Sequence, residues 1–372
     1  PAVLSDHPEL FYLESAYRYS IMDGKVYAVI PQYSMGGTAL TNARALLEQR
    51  TALLLRDLPD GEYEKALELH NRLALTTRYV STAQDQNIYG ALVEREAVCA
   101  GYARAYQYLL QQCGIEAWTV TGTALTPASA QPVAHAWNLV KLNDEWYCTD
   151  VTWDDQANSG DDGLQQVFYA YFNITSAEMG EDHTLDPLYG NPVTTATAAN
   201  YFTKNGSTVV EVSGSFARGR GAVPSTLAGA AGISGGYSYR TLRDEVIVFS
   251  GGSTLTVPVD SQSNDARTLL CLWQNGRLVH TALLEQSGIA PLTMLPRGSY
   301  DLTVSRDVHL LYTAKSIAIT GNRQLDTITL LVGDLNGDGS IDVSDLNIVW
   351  NAANYNQAAS AAENPLTDLN GD

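Results

Sequence analysis

The chain is short of basic residues, short of cysteine and without long apolar runs, and each shortage removes a class of function. Its 372 residues hold 22 Lys and Arg against 41 Asp and Glu, a formal charge of −19. No Lys and Arg cluster interrupts that excess, which argues against a phosphate-tracking surface and a nucleic-acid partner. No apolar stretch approaches the roughly 20 residues that cross a bilayer, so no membrane span is expected. No basic-then-apolar leader opens the chain, which begins inside "PAVLSDHPELFYL", so an export signal is neither shown nor excluded. The four cysteines, Cys99, Cys113, Cys148 and Cys271, are too few and too scattered for a disulfide scaffold, and none forms a CxxC pair. The length suffices for two or three domains with ample cores.

Apolar residues recur at helical spacing from Asn42 to Arg56 and from Tyr63 to Tyr79, which predicts two amphipathic helices. A third is predicted from Cys99, with Tyr102, Tyr106, Leu109, Leu110 and Cys113 on one face and Gly114 where a left-handed cap would stop it. Strand-like stretches follow: "EAWTVTGTAL", "AHAWNLVKL" and "EWYCTDVTW". Helices followed by antiparallel strands make an α+β arrangement. After about Tyr201 helix signals fade, and from Ser253 to Val332 short β-rich pieces separated by turn residues read as a small antiparallel β-sandwich.

Cys99 sits at a predicted helix N-terminus, where free N–H groups and the macrodipole favour an anion. An unpartnered cysteine is usually buried filler, so the partners decide whether it is a nucleophile. A cysteine nucleophile needs a base, and the base needs an orienting group. With Asn143-Asp144 as a two-residue hairpin turn, Leu142 faces Glu145, Trp137 faces Asp150 and His135 faces Thr152. His135, Trp137, Cys148 and Asp150 then share one face, and His135 and Asp150 are diagonal neighbours with Cβ atoms roughly 7–8 Å apart. A register shift of one residue would turn Asp150 away.

These residues carry a resemblance. "YGALVEREAVCAGYARAYQYLLQQCGIEAWTVTG", "AHAWNLVKLNDEWYCTDVTWDD" and "YFNITSAEMGEDH" look like the core of the bacterial transglutaminase-like family, whose fold is papain-like. The likeness spans roughly residues 60–200, and "DHPELFYL" with the helices after it resembles the N-terminal region common in clostridial members. It implies a Cys-His-Asp triad: Cys99 as nucleophile, His135 as general base and acid, Asp150 orienting the imidazole. The chemistry implied is attack on a protein or peptide carboxamide, with the Cys99 backbone N–H as oxyanion donor and a second donor from the "NIYGALVE" segment. Water resolving the thioester makes a peptidase or amidase, and an amine makes a transglutaminase. No cofactor is implied for catalysis. Trp137, Trp153 and His183, the last matching the family's trailing Asp-His, are candidate cleft-lining residues. Packing roles are expected for His70, Cys113, Cys148 and Cys271.

"GDLNGDGSIDVSDLNIVW" carries a calcium-loop pattern. Asp334, Asn336 and Asp338 stand at positions 1, 3 and 5, Gly339 at the sharp turn, the Ser340 carbonyl at 7 and Asp345 at 12, an oxygen cage suited to Ca²⁺. Asp at position 12 and Ile341 behind the loop look like a type I dockerin repeat, and "DLNGD" starts a second copy at Asp368 that stops half-made. Dockerins bind cohesin modules of extracellular scaffoldins, so the resemblance implies an exported or cell-surface protein, a cohesin partner and a cellulosome-like assembly. The region 253–332 is similar to carboxypeptidase-regulatory-like, transthyretin-type sandwiches, which implies a spacer or adhesion module. The expected organisation is multidomain: a transglutaminase-like domain with its helical N-terminal region over 1–252, a β-sandwich over 253–332 and a dockerin over 333–372. The competing reading is a scaffold or peptide-binding module with a vestigial triad.

Overall fold

In the computed structural model the N-terminal apolar periodicities become helices close to their expected limits. The structure describes residues 2–125, 131–142, 144–155, 167, 171–187, 208–211, 238–242, 245–249, 253–261, 267–284, 286–295, 297–356 and the single positions 362, 367 and 369. Its residues fall into two compact units, one made of Pro1–Leu73, Thr77–Thr152 and Tyr171–Ala199, the other of Ala74–Thr76, Trp153–Ala170 and Asn200–Asp372. No helix among the described residues is long and apolar enough to cross a membrane.

In the first unit a hairpin precedes the helices. Strands β1 (Leu13–Met22) and β2 (Lys25–Tyr33) pair antiparallel, with Met22 opposite Lys25. Asp23 and Gly24 between them both have positive φ, the backbone that an Asp-Gly hairpin turn requires. Helix α1 (Gly37–Leu55) buries only Ala43, Leu47, Arg50 and Thr51, a stripe at helical spacing. Helix α2 (Glu62–Thr76) is instead buried on all sides from Ala66 to Leu75, polar residues included. There Arg72, with no exposed surface, pairs with Glu68 at 2.8 Å. Its Nη1 also donates to the Leu54 and Arg56 carbonyls at 2.7 and 2.6 Å, closing the C-terminal end of α1, where carbonyls lack helical partners.

Helix α3 (Cys99–Gln112) starts on the Cys99 residue itself, and Gly114 (φ 75°) follows its C-terminal end. Tyr102 and Tyr106, both fully buried, donate to the Thr77 and Ala66 carbonyls at 2.9 Å. Gly101 permits close approach of the chain, because a Cβ there would stand 2.3 Å from the Asp85 carbonyl oxygen. The sheet that follows has strand order β5-β4-β3-β6, from β3 (Ala117–Ala124), β4 (Val133–Leu142), β5 (Glu145–Thr149) and β6 (His183–Leu185). It is tied to α3 by Asn138 donating to the Ala103 carbonyl at 2.8 Å and by Gln107 accepting from the Thr119 N–H at 2.8 Å. One bond ties α3 to β4 and the other ties it to β3, so the helix is held on the sheet by buried polar contacts as well as by packing.

In the second unit Thr208–Glu211, Ser238–Leu242 and Glu245–Phe249 pair in a three-stranded antiparallel sheet, and the alternating pieces from Ser253 on form two more. One joins β7 (Ser253–Asp260) to β10 (Gly288–Leu295), with the short strands Arg323–Gln324 and Ile328–Thr329 lying parallel to β7. The other runs in the order β9 (Arg277–Leu284), β8 (Thr268–Gln274), β11 (Gly298–Ser305), β12 (Tyr312–Ile319). Leu255, Val257, Leu270, Leu272, Leu292, Leu302 and Val304 from both sheets share one core cluster, the inward half of a period-2 pattern. Helix α4 (Val343–Trp350) follows, capped by the Asp342 side chain.

The Glu68 and Arg72 pair generates a stability prediction. Arg72→Met should lower the urea midpoint by the equivalent of about 3–5 kcal/mol, because it strands a buried carboxylate. Removing both charges together, in Glu68→Leu with Arg72→Met, should recover much of that loss. Equal losses in the single and double variants would show that the pair is not what couples the two positions.

Candidate active site

The β4–β5 register is the one the hairpin count requires: Leu142 pairs with Glu145, Leu139 with Cys148 and Asn138 with Thr149. Asp144 at the turn has φ 65°, and Asn143 lies outside the described residues. The expected continuation of β5 through Trp153, with Thr152 opposite His135, is corrected by the structure. The strand ends at Thr149 and residues Val151–Asp154 form a helical turn. The physical reason is a side-chain bond: Asp150 Oδ1 accepts the Thr152 N–H at 3.0 Å, and the Asp150 N–H donates to the Tyr171 carbonyl at 3.0 Å. Asp150 thereby caps the turn and is lifted out of the ladder.

His135 Nε2 lies 2.7 Å from Asp150 Oδ2, and the Cys99 thiol is a further hydrogen-bond partner of the His135 ring. The three residues predicted as a triad are therefore together. Cys99 is partly exposed, His135 is 7% exposed and Asp150 is 1% exposed, so the site opens at sulfur and closes behind the carboxylate. Burial opposes charge on His135, but the Asp150 carboxylate and the Cys99 contact outweigh it and raise the imidazole to about 10. Burial likewise opposes charge on Asp150, and His135 and His183 together hold it well below the usual carboxylate range.

His183 is 4% exposed and lies behind Asp150, with Nε2 3.3 Å from Asp150 Oδ2. Trp137 is buried, 6.2 Å from the His135 ring and edge-on to His183 at 5.0 Å. Gly122 makes room for it: a Cβ there would meet the Thr184 carbonyl oxygen at 2.0 Å and the Trp137 ring at 2.8 Å. Trp153 stands half-buried in the turn after Asp150. His70 is fully buried, with its ring 5.0 Å from that of Phe172. All four cysteines are free thiols. Cys148 is buried near Ser176, and burial pushes its thiol up to about 12, so it stays protonated.

Two neighbours were not anticipated. Tyr79, 58% exposed, pairs with Ala97, two residues before Cys99, and its phenol is raised by partial burial first and then by Cys99, Asp150 and Asp85. Asp182 contacts His183 Nδ1 at 2.6 Å and accepts the Tyr171 hydroxyl at 2.7 Å. The Asp-His pair in "GEDHTLD" is a sequence signal for the second; nothing in the sequence marks the first. The donor atoms of His135, Asp150 and His183 lie within 4.8 Å of one another. Both imidazoles are hydrogen-bonded to Asp150, at 2.7 and 3.3 Å.

In the C-terminal loop Asp334 Oδ2 accepts the Gly339 N–H at 3.0 Å, and Asp345, predicted to close the cage, clasps the loop through the Leu335, Asn336 and Asp342 N–H groups. Asp338 and Asn336 are bonded at 2.8 Å. Asp334 Oδ1 is buried without a hydrogen-bond partner, and burial first, then Asp345 and Asp338, raises its carboxyl. A buried carboxylate oxygen left bare among other acids fits a hard cation. Of the second repeat, Asp368 lies outside the described residues.

Residues 52–151 match the Transglutaminase-like superfamily model, a stretch that contains Cys99, His135 and Asp150. The chain thus carries a transglutaminase-like region. No curated protein matches it. Among solved structures, a TGase is 12% identical over 41% of this chain and 48% of its own, with a TM-score of 0.26. A Cytophaga hutchinsonii protein provisionally named a cysteine protease is 18% identical over 30% of this chain and 37% of its own, TM-score 0.25. A cohesin–X–dockerin complex from Acetivibrio cellulolyticus is 16% identical over 30% of this chain and 79% of that one, TM-score 0.25. The chain spans about half the length of the TGase, and at these scores the likenesses carry no argument.

The shifts set a pH window. With Asp150 held down, its pairing stabilises the fold above roughly pH 4 and is lost as acid titrates it; with His135 raised, the same pairing is complete below roughly pH 6.5 and fades as pH climbs through about 10. The melting-temperature deficit of Asp150→Asn should therefore be largest near pH 5–6 and shrink toward both extremes, by roughly this linkage. A pH-independent deficit would contradict the ion pair.

Proposed function

We propose that the chain is a cysteine-dependent acyl transferase acting on protein or peptide carboxamides, hydrolysing them or passing the acyl group to an amine. The observation that carries this reading is the contiguous array of a partly exposed thiol at a helix start, a buried imidazole and a fully buried carboxylate. Asp150 engages His135 at Nε2, so Nδ1 is the nitrogen that faces sulfur. Cys99 attacks the amide carbonyl as a thiolate, and the developing oxyanion takes the Cys99 backbone N–H at the start of α3, whose N-cap residue Val98 supplies no side-chain cap. Collapse breaks the C–N bond. His135 gives its proton to the departing amine, leaving a thioester, and then takes one from the water or amine that resolves it. Asp150 holds the ring in one orientation and stays ionised throughout.

The C-terminal segment reads best as a calcium-organised, dockerin-like tether to a cohesin-bearing scaffold, which would place the protein outside the cell. The loop sequence and the bare Asp334 oxygen support it. Asp334, Asn336, Asp338, the Ser340 carbonyl and Asp345 would hold the ion.

Iodoacetamide should alkylate Cys99 at least tenfold faster than Cys113, Cys148 or Cys271 at pH 6, and His135→Ala should remove that advantage, because the base is what makes a thiolate available. Equal labelling with and without His135 would overturn the triad. For calcium, chelator should raise amide exchange across residues 333–350 while leaving exchange in α3 unchanged. No response at 333–350 would overturn the ion site.

A further inference from the structure

The acid–base array does not end at Asp150. Asp150 Oδ2 serves two imidazoles, His135 Nε2 at 2.7 Å and His183 Nε2 at 3.3 Å, while Oδ1 takes the Thr152 N–H. The other nitrogen of His183, Nδ1, lies 2.6 Å from Asp182 Oδ1, and Asp182 Oδ2 is held by the Tyr171 hydroxyl. Counting protons decides the state of His183. A carboxylate offers only lone pairs, and a neutral imidazole carries a single N–H. With both ring nitrogens against carboxylate oxygens, His183 satisfies both at once as an imidazolium between Asp150 and Asp182. Burial opposes that charge, and the bonds to Asp150 and then Asp182 outweigh it. From His135 inward, cation and carboxylate then alternate: His135, Asp150, His183, Asp182.

We propose that His183, held as an imidazolium by Asp182, is a positioning residue that divides the Asp150 carboxylate between two histidines and so limits how tightly His135 keeps the proton it must hand to the leaving amine. This rests on Cys99, His135 and Asp150 acting as the triad. With Asp150 only 1% exposed, little water screens its carboxylate, so a second cation on the same oxygen weakens its pull on the His135 proton beyond what the Thr152 N–H on Oδ1 does. The groups facing His183 are Asp150 from the turn after β5, His135 from β4 with ring centres 5.3 Å apart, Asp182 beside it, Tyr171 at 5.5 Å and the uncharged Trp137. Among the described residues, His135 is met by Cys99, Asp150, His183 and the uncharged Trp137, and Tyr79 interacts electrostatically with Cys99 and Asp150.

Alkylation of Cys99 by anionic iodoacetate reads the His135 charge directly, because the reagent is drawn in only while the imidazolium persists. Rates would be followed by mass spectrometry across pH in the full chain, in His183→Gln and in Asp182→Asn, over the range where circular dichroism shows each folded. Asp182→Asn keeps the side-chain shape and lets His183 lose its charge, so the idea stays testable if His183→Gln fails to fold. The pH at which the rate falls on the alkaline side should move up by roughly one unit in His183→Gln, and by less in Asp182→Asn. An unmoved alkaline limb in the folded variants would overturn the proposal and leave His183 a packing residue. Failure of the triad reading would look different: His135→Ala would then label as fast as the native chain, whatever His183 does.

Discussion

A carboxylate with 1% of its surface exposed can stay ionised only where protein groups replace the water it has lost, and Asp150 is surrounded by such groups. Two imidazoles share one oxygen and a backbone N–H takes the other. Everything chemical in the first unit depends on that arrangement. The ionised carboxylate orients His135 and raises it, His135 in turn meets the Cys99 thiol, and His183 sits on the same oxygen from behind. The same carboxylate has a structural task, because its Oδ1 ends β5 and starts the next turn. One side chain thus sets both the local backbone and the protonation of its neighbours.

The scaffold delivers Cys99 to this carboxylate by polar as well as apolar means. Buried tyrosines of α3 reach the Thr77 and Ala66 carbonyls, and Asn138 joins β4 to α3. Each such bond constrains direction as well as distance, which apolar packing alone does not. Arg72 performs a comparable task further away by closing α1 onto α2. The consequence is a helix fixed on the sheet in direction as well as in distance.

Much of this is legible in the sequence where a single periodicity governs. The three helices, the β4–β5 register down to Thr149, and most strands between Ser253 and Ile319 follow from spacing and turn residues. Legibility fails where a side chain overrules the pattern. "EWYCTDVTW" alternates like one strand, yet Asp150 binding the Thr152 N–H bends it into a turn, an outcome that alternation cannot encode. The Asp23-Gly24 turn carried a hairpin signal that a helical reading of the N-terminal region passed over. Of the site, Cys99, His135 and Asp150 could be paired on paper because a hairpin brings two of them together. Tyr79 and the bond of His183 to Asp150 could not, since they depend on long-range packing between segments with no shared pattern. The short strands parallel to β7 are hidden for the same reason.

The most direct test is the state of the His135 ring, read by nitrogen-15 NMR of the imidazoles in the native chain and in Asp150→Asn. The account requires both His135 nitrogens to carry protons through neutral pH, with Nε2–H donated to Asp150, and requires that state to collapse toward an ordinary histidine titration near pH 6.5 when the carboxylate is gone. A His135 that already titrates near 6.5 in the native chain, unmoved by Asp150→Asn, would contradict it.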